Sequence, residues 1–283
     1  MESPPVHGAL PRLIALDLDG TLLTSDKRIT MRARAAVLSL VERGVHVVLC
    51  TGRPPRSAVG YAAELGLGHP FICYNGAALF DPTAGALDVR HRLDPAVGLE
   101  AVARLRRAFP GAAAGLETEH GWYLEPAVAD RRESEARLGQ GEPTAVGPIE
   151  TFLDTPVIKL LVSHQQVGAE VLATAVEDLP LYRTWSSPAM LEMMAPGVDK
   201  RRALQAHCAE LGIERERVAA FGDQRNDLEM IAWAGVGVAV ANASAVVREA
   251  ADVLAAGNDD DGVARVLEAW LADSPHQAPT GGL

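Results

Sequence analysis

The chain from residue 13 to residue 74 alternates short apolar runs with stretches whose apolar residues recur at helical spacing. Leu13–Leu16 is a continuous apolar run, which is typical of a strand buried on both faces of a parallel sheet. The predicted elements follow as strand, helix, strand, helix and strand, at residues 13–16, 30–44, 45–50, 55–65 and 71–74. This alternation predicts a doubly wound α/β sheet.

The same alternation returns at the other end of the chain. It predicts a helix, a strand, a helix, a strand and a short helix, at residues 199–211, 218–221, 226–234, 236–240 and after Ser244. Since both ends show one pattern, we expect them to form one Rossmann-like core from residues 1–82 and 188–283.

The middle of the chain has a different pattern. Hairpin-like strands surround Gly85 and Gly121, with helices at 95–109 and 166–178 and strands at 157–162 and 181–185. We therefore expect an inserted α+β cap domain over residues 83–187. The polar stretch 133–150 fits either a loop or a short helix, and the tail 274–283 is expected to be disordered.

Composition excludes several classes of protein. With 283 residues, 48% of them hydrophobic, the chain can fill the cores of about two domains. The net charge of −11 argues against nucleic acid and anionic membranes as partners, so local cations must hold any anionic substrate. The chain begins without a signal-like segment and has no membrane-length apolar run, which predicts a cytoplasmic protein. We expect it as a monomer or homodimer. Cys50, Cys73 and Cys208 are widely spaced and predict buried thiols rather than a zinc site or a disulfide framework.

Carboxylates follow two of the predicted strands at the point where each strand ends. Asp17 and Asp19 come after the first strand, and Asp223 and Asp227 come after the strand at 218–221. Such sheets bind ligands beyond the carboxyl ends of their strands, so these acids converge on one edge. Clustered carboxylates repel each other unless a cation lies between them, and all-oxygen ligands suit Mg²⁺.

Two further segments add groups that suit an anion. Thr51-Gly52-Arg53 follows the second strand, where a hydroxyl and backbone N–H groups can hold phosphate oxygens. Lys200 opens a helix, a place that disfavours a cation unless an anion is near. Each alone has an ordinary interpretation, as a strand-to-helix turn and as a surface lysine.

Taken together and in this order, the four segments resemble the haloacid dehalogenase superfamily, in the branch of Cof-type phosphatases with a type IIB cap. The resemblance extends to Asn75-Gly76-Ala77, Asn242-Ala243 and Asp261-Gly262-Val263. It implies a Mg²⁺-dependent phosphatase of small phosphomonoesters, with sugar phosphates as the expected class. Arg201 and Val240-Ala241 depart from the usual pattern, which leaves local packing and substrate shape in doubt but no catalytic group.

The resemblance also implies roles for individual residues. Asp17 is the nucleophile that forms an aspartyl phosphate, and Asp19 is the acid and base, which agrees with two carboxylates projecting the same way along the chain. The Mg²⁺ ligands are Asp17, the backbone carbonyl of Asp19, and Asp223, supported by Asp227. Thr51 with Gly52 and Lys200 neutralise the phosphoryl oxygens. The remaining candidates for contact with phosphate or substrate are Asn226, Asn75 and Arg53.

Several alternatives stay open on the sequence. Contact with substrate and bracing of its own loop are equally good interpretations of Arg53. For Lys159, a side chain that points to solvent is favoured about twofold over one that contacts substrate, because lysines are mostly exposed. A phosphomutase would pass the phosphoryl group to a second hydroxyl instead of water. A noncatalytic sensor of phosphorylated ligands would keep the fold but has no use for Asp19 as a proton donor.

Overall fold

The computed structural model of the chain describes residues 10–128, 142–153 and 156–274. Much of the polar stretch 133–150 and almost all of the tail predicted to be disordered lie outside the described residues. Contacts divide the chain into two compact units. The first comprises Met1–Thr51, Tyr61–His69 and Leu204–Leu283, and the second comprises Gly52–Gly60 and Pro70–Ala203.

The strands and helices of the described residues are numbered in chain order. The strands are β1 (Leu13–Leu16), β2 (His46–Leu49), β3 (Phe71–Cys73), β4 (Ala78–Asp81), β5 (Ala86–Val89), β6 (Ala113–Thr118), β7 (Trp122–Leu124), β8 (Ala145–Val146), β9 (Val157–Ser163), β10 (Tyr182–Ser187), β11 (Met190–Met194), β12 (Val218–Gly222), β13 (Val236–Ala239) and β14 (Val253–Leu254). The helices are α1 (Met31–Glu42), α2 (Pro55–Glu64), α3 (Pro95–Ala108), α4 (Ala169–Thr174), α5 (Lys200–Glu210), α6 (Leu228–Trp233), α7 (Ala245–Ala250) and α8 (Gly262–Asp273).

The first unit contains a parallel sheet with the strand order β14-β13-β12-β1-β2. β1 is fully buried between β12 and β2, which agrees with its uninterrupted apolar sequence. Helices α1 and α8 pack against each other in this unit. The predicted α/β fold with a Rossmann-like parallel sheet is confirmed, although the sequence pattern missed β14 and α8.

One predicted strand does not join the parallel sheet. The segment 71–74 was expected as the third parallel strand, but β3 pairs antiparallel with β4, in a separate sheet of order β3-β4-β5. The reason is local, because Tyr74, Asn75 and Gly76 all have positive φ angles and reverse the chain directly after β3. The reversal brings β4 beside β3 as the two arms of a hairpin.

The second unit contains a mainly antiparallel sheet with the order β10-β11-β9-β6-β7-β8. β9 lies inside this sheet, and every one of its residues is buried. Leu105 of α3 and Leu172 of α4 belong to the same apolar core as Leu160 of β9. The α+β character agrees with the sequence pattern, but α4 is shorter than the predicted helix at 166–178, and β11 was not predicted.

Two expectations drawn from composition can be compared with the structure. Cys50, Cys73 and Cys208 are all buried, as predicted. Of the helices in the described part of the chain, none is long and apolar enough to span a lipid bilayer.

Candidate active site

The carboxyl ends of β1 and β12 form the first part of the site. The strands run parallel with Leu16 opposite Phe221, and the Asp17 N–H donates to the Phe221 carbonyl at 3.1 Å. The pairing therefore brings Asp17 beside the residues that follow β12, although about 200 positions separate them in the chain. The register of two strands thus sets the position of the acidic residues.

Three carboxylates meet at this edge. One oxygen each from Asp17, Asp223 and Asp227 lies within 4.8 Å of the other two, and all three residues are buried. Buried like charges this close disfavour one another strongly unless a cation compensates them. Carboxylate oxygens are hard donors of the kind that Mg²⁺ takes, so the triad is suited to holding that ion.

Backbone and side-chain donors fix the orientation of the triad. Asp227 Oδ2 accepts the N–H groups of Asp223 at 3.0 Å and Gln224 at 3.2 Å. The Thr21 hydroxyl donates to Asp223 Oδ1 at 3.1 Å, and the Gln224 amide donates to Asp223 Oδ2 at 3.2 Å. Sequence reasoning missed these contacts of Thr21 and Gln224, although both residues lie inside the motifs that it singled out.

Gly20 lies directly against the triad. Its φ is +78°, and a Cβ atom placed on it would come within 2.4 Å of Asp223 Oδ2. Asn242 donates its side-chain amide to the Gly20 carbonyl at 2.7 Å, which holds this turn from the other side. Glycine is therefore required here both by the backbone conformation and by the close approach of Asp223.

Asp19 is not a member of the carboxylate triad. Its Oδ1 accepts a hydrogen bond from Lys27 Nζ at 2.8 Å, and its side chain is partly exposed. Lys27 itself has a positive φ of 61°. The sequence offered no signal for this contact, since the two residues lie eight positions apart in an irregular turn.

Thr51 and Asn226 belong to the same unit as the triad. The Cys50 N–H donates to the Leu16 carbonyl at 2.9 Å, which puts the following residue, Thr51, at the edge where Asp17 follows β1. Thr51 and Asn226 are both buried, with 1% and 4% of their surface exposed. Thr51 therefore follows β2 at the same edge of the sheet at which Asp17 follows β1.

The other predicted site residues, Gly52, Arg53, Asn75 and Lys200, lie in the second unit. Lys200 is completely buried as the first residue of α5, next to Asp199, whose carboxylate accepts the Arg202 N–H and caps the helix. Arg53 Nη1 donates to the Ser57 carbonyl at 3.3 Å, an interaction that braces its own loop. Asn75 is completely buried.

Lys159 does not point to solvent, so the expectation of an exposed side chain was wrong. Only 5% of it is exposed, and Nζ donates to the Gly52 carbonyl at 2.8 Å. The same Nζ lies 3.4 Å from Glu192 Oε2. The usual exposure of lysine did not predict the environment of Lys159, because both faces of β9 are covered.

A second charged group in this unit went unnoticed in the sequence. Arg56 donates two hydrogen bonds to the buried Glu117, at 2.7 and 2.8 Å, and stacks over Trp122 at 4.5 Å. The Tyr74 hydroxyl also donates to Glu117, at 3.3 Å. Burial, with the nearby Glu117 carboxylate, raises the pKa of Tyr74 above its ordinary value, so the phenol keeps its proton as a donor.

The chain is similar to known proteins over most of its length. Residues 14–267 match the model of a family described as haloacid dehalogenase-like hydrolase. The chain is 30% identical over 267 residues to 5-amino-6-(5-phospho-D-ribitylamino)uracil phosphatase YitU of Bacillus subtilis (strain 168), covering 93% of this chain and 98% of that protein. It is 29% identical over 278 residues to pyridoxal phosphate phosphatase YbhA of Escherichia coli (strain K12), covering 92% and 98%.

A solved structure has the same fold. The crystal structure of a haloacid dehalogenase-like hydrolase from Bacteroides thetaiotaomicron superposes with a TM-score of 0.76 at 31% identity. The match covers 92% of this chain and 99% of that one. The likeness therefore extends over both units.

Proposed function

We propose a mechanism for this chain, which belongs to the haloacid dehalogenase-like hydrolases and is a phosphatase of small phosphorylated substrates. In the proposal it hydrolyses phosphomonoesters with Mg²⁺ through an aspartyl phosphate on Asp17. The observation that carries the proposal is the buried triad of Asp17, Asp223 and Asp227 at one sheet edge. A carboxylate that can act as a nucleophile beside a cation site is suited to phosphoryl transfer through an aspartyl phosphate.

In the first step, a carboxylate oxygen of Asp17 forms a bond to phosphorus as the ester oxygen leaves. The Asp19 carboxyl gives its proton to that leaving oxygen, so an alcohol departs and an acyl phosphate remains. Thr51, Gly52 and Lys200 bind the phosphoryl oxygens as their charge spreads. Asp17, the backbone carbonyl of Asp19, and Asp223, supported by Asp227, would hold Mg²⁺, which would supply neutralisation of the negative charge on the phosphoryl group.

In the second step, Asp19 takes a proton from water as that water bonds to phosphorus. The bond between phosphorus and the Asp17 oxygen breaks, which releases phosphate and restores the carboxylate. Each displacement is easier than a single direct hydrolysis. Asn226 is a further candidate for contact with phosphate.

We propose sugar phosphates as the substrate class, with a cap domain that selects the leaving group. The name of the Bacillus relative, which specifies a phosphorylated ribityl chain, supports this class. The domain limits in the proposal are the core at 1–82 and 188–283 and the cap at 83–187. A cytoplasmic location and a monomeric or homodimeric state stay predictions of the sequence.

The decisive test is Asp17→Asn assayed with an aryl phosphate and with a panel of sugar phosphates. We expect the rate of phosphate release to fall by at least about 10³-fold, because the amide is a far weaker nucleophile. Asp88→Asn, at an exposed acid of β5, is the matched control and should retain wild-type activity. Full activity in Asp17→Asn would refute the nucleophile assignment, and isomerised sugar phosphate without free phosphate would indicate a phosphomutase.

A further inference from the structure

A buried polar cluster in the second unit joins three segments that are distant in sequence. It consists of Lys159 on β9, Glu192 on β11 and Asn75 in the turn after β3, and each is at most 5% exposed. Glu192 Oε2 accepts the Asn75 amide at 2.9 Å and lies 3.4 Å from Lys159 Nζ. The ammonium and the carboxylate compensate each other, but a buried ion pair contributes little net stability compared with apolar residues.

The cluster holds Gly52 by two independent contacts. Lys159 Nζ donates to the Gly52 carbonyl at 2.8 Å. The Asn75 amide lies against the Gly52 α-carbon, since a Cβ there would come 2.9 Å from Asn75 Oδ1. Gly52 directly follows Thr51, so these contacts fix the position of the backbone next to Thr51.

The turn that carries Asn75 also reaches the segment before Lys200. Tyr74, Asn75 and Gly76 have φ angles of 50°, 55° and 99°. A Cβ on Gly76 would come 2.6 Å from the Asp199 carbonyl oxygen, so the two backbones are in contact. Non-glycine residues held in this region are unfavourable and persist only where the surrounding contacts enforce them.

We propose that Lys159, Glu192 and Asn75 act as positioning residues for the two phosphate-binding segments, 51–52 and 199–200. Lys159 and Asn75 fix Gly52, and the same turn fixes the backbone one residue before Lys200. This inference rests on the proposed function, because it presumes that Thr51 and Lys200 hold phosphoryl oxygens. It assigns Lys159 no contact with substrate.

The test is a double-mutant cycle between this cluster and Thr51. Lys159→Met/Glu192→Gln removes both buried charges together, so no charge is left without its partner, and the introduced glutamine amide would still accept from Asn75. We expect kcat/KM for an aryl phosphate to fall about 10- to 100-fold, because small displacements of binding groups have effects of this size. In a Thr51→Ala background the same double substitution should lower kcat/KM by a smaller factor, since the part of its effect that passes through Thr51 is already lost and only the part that passes through Lys200 remains.

The matched control is Arg106→Met/Glu125→Gln. It removes another ion pair of the same unit, one whose Glu125 carboxylate accepts the Ala114 N–H and has no described contact with Gly52 or Asn75. We expect it to leave kcat/KM within about twofold of wild type. The inhibition constant of inorganic phosphate is measured for every variant, because it does not depend on the fraction of active protein. It should rise for the Lys159/Glu192 variant and stay unchanged for the control.

Three outcomes would overturn the inference. One is an unchanged kcat/KM in the Lys159/Glu192 variant, and another is an unchanged inhibition constant for phosphate. The third is a loss of the same size with and without the Thr51 hydroxyl, which would mean that the cluster does not position segment 51–52. Failure of the proposed function is distinct, since wild-type protein would then release no phosphate or Asp17→Asn would stay fully active, and the inference would fall with it.

Discussion

Gly20 shows how one missing side chain shapes the carboxylate triad. A methyl group there would meet Asp223 Oδ2 at 2.4 Å. We predict that Gly20→Ala displaces Asp223 and raises the Mg²⁺ concentration needed for half-maximal activity by about 10- to 100-fold, the range for supporting groups of metal sites. The measurement is a Mg²⁺ titration of phosphatase activity.

Gly44→Ala separates this steric effect from backbone strain. Gly44 has a similar φ of +80°, but a Cβ on it would meet nothing within 4 Å. It should therefore lower stability without changing the Mg²⁺ requirement. Equal shifts in the two alanine variants would show that contact with Asp223 is not the cause.

His46 makes the stability of the first unit depend on pH. Burial, together with His69 stacked at 4.0 Å and His207, whose Nε2 lies 3.1 Å from that of His46, lowers the pKa of His46 from 6.5 to about 4. Between pH 6.5 and about 4, His46 is protonated in the unfolded chain and neutral in the folded chain. The free energy of unfolding should therefore fall as pH decreases through this window.

His46→Gln removes the titrating imidazole and keeps a side chain that can form hydrogen bonds. We predict that the loss of stability between pH 7 and pH 5, measured by urea denaturation, is smaller in this variant than in wild type. His120→Gln, at an exposed histidine, serves as the control and should follow wild type. Identical pH profiles for wild type and His46→Gln would exclude a contribution from His46.

At the level of single residues, the sequence predicted the acids that follow the strands but not their partners. Asp17, Asp223 and Asp227 could be identified because they lie in the polar segments that follow two apolar runs. The contact of Lys27 with Asp19 arises from an irregular turn. Lys159 on β9 donates to the Gly52 carbonyl although 107 positions separate the two residues in the chain. Neither contact leaves a periodic trace in the sequence.

Helix α1 illustrates an element whose start is encoded locally. The Thr30 hydroxyl oxygen accepts the Ala33 N–H at 3.1 Å, and the hydroxyl donates to Asp261 at 2.6 Å. We predict that Thr30→Ala lowers the free energy of unfolding by about 0.5 to 2 kcal/mol through loss of this cap. Urea denaturation measures the change.

Thr30→Ser is the conservative counterpart, because serine keeps the hydroxyl. It should retain most of the stability that alanine loses. If serine were as destabilising as alanine, the methyl group of Thr30 rather than its cap would be responsible. Activity per folded molecule should be unchanged in both variants, since Thr30 is no part of the triad.

Among the elements, those with a complete local pattern were predicted well. The bounds of α1, α2 and α3 differ little from those expected. The segment at Phe71–Cys73 was correctly predicted as a strand but assigned to the wrong sheet. An apolar run specifies burial, whereas its pairing partner depends on the turn that follows.

Across the whole molecule, the triad predicts a coupling between Mg²⁺ and stability. At a free concentration of 100 times its Kd, an ion that binds only the folded state adds about 2.7 kcal/mol. We predict that Mg²⁺ raises the Tm of wild type by several degrees and that a chelator reverses the rise together with the activity. Differential scanning calorimetry provides the measurement.

Asp223→Asn should remove most of this response. Without Mg²⁺ the variant should be at least as stable as wild type, because one of three mutually repelling buried charges is gone. Asp88→Asn should respond as wild type does. A Tm that Mg²⁺ does not move in wild type, or moves equally in Asp223→Asn, would contradict the metal site.

The sequence by itself determined the α/β class and the residue types at the strand ends, because each of these depends on neighbours within a few positions. It also determined the family, because four such local motifs occur in a fixed order along the chain. Only the tertiary structure decided that Asp17 lies within reach of Asp223, that Lys159 is buried, and that β3 leaves the parallel sheet. The physical reason is that strand order, register and burial on both faces are properties of packing between distant segments. Local hydropathy restricts these properties but does not specify them.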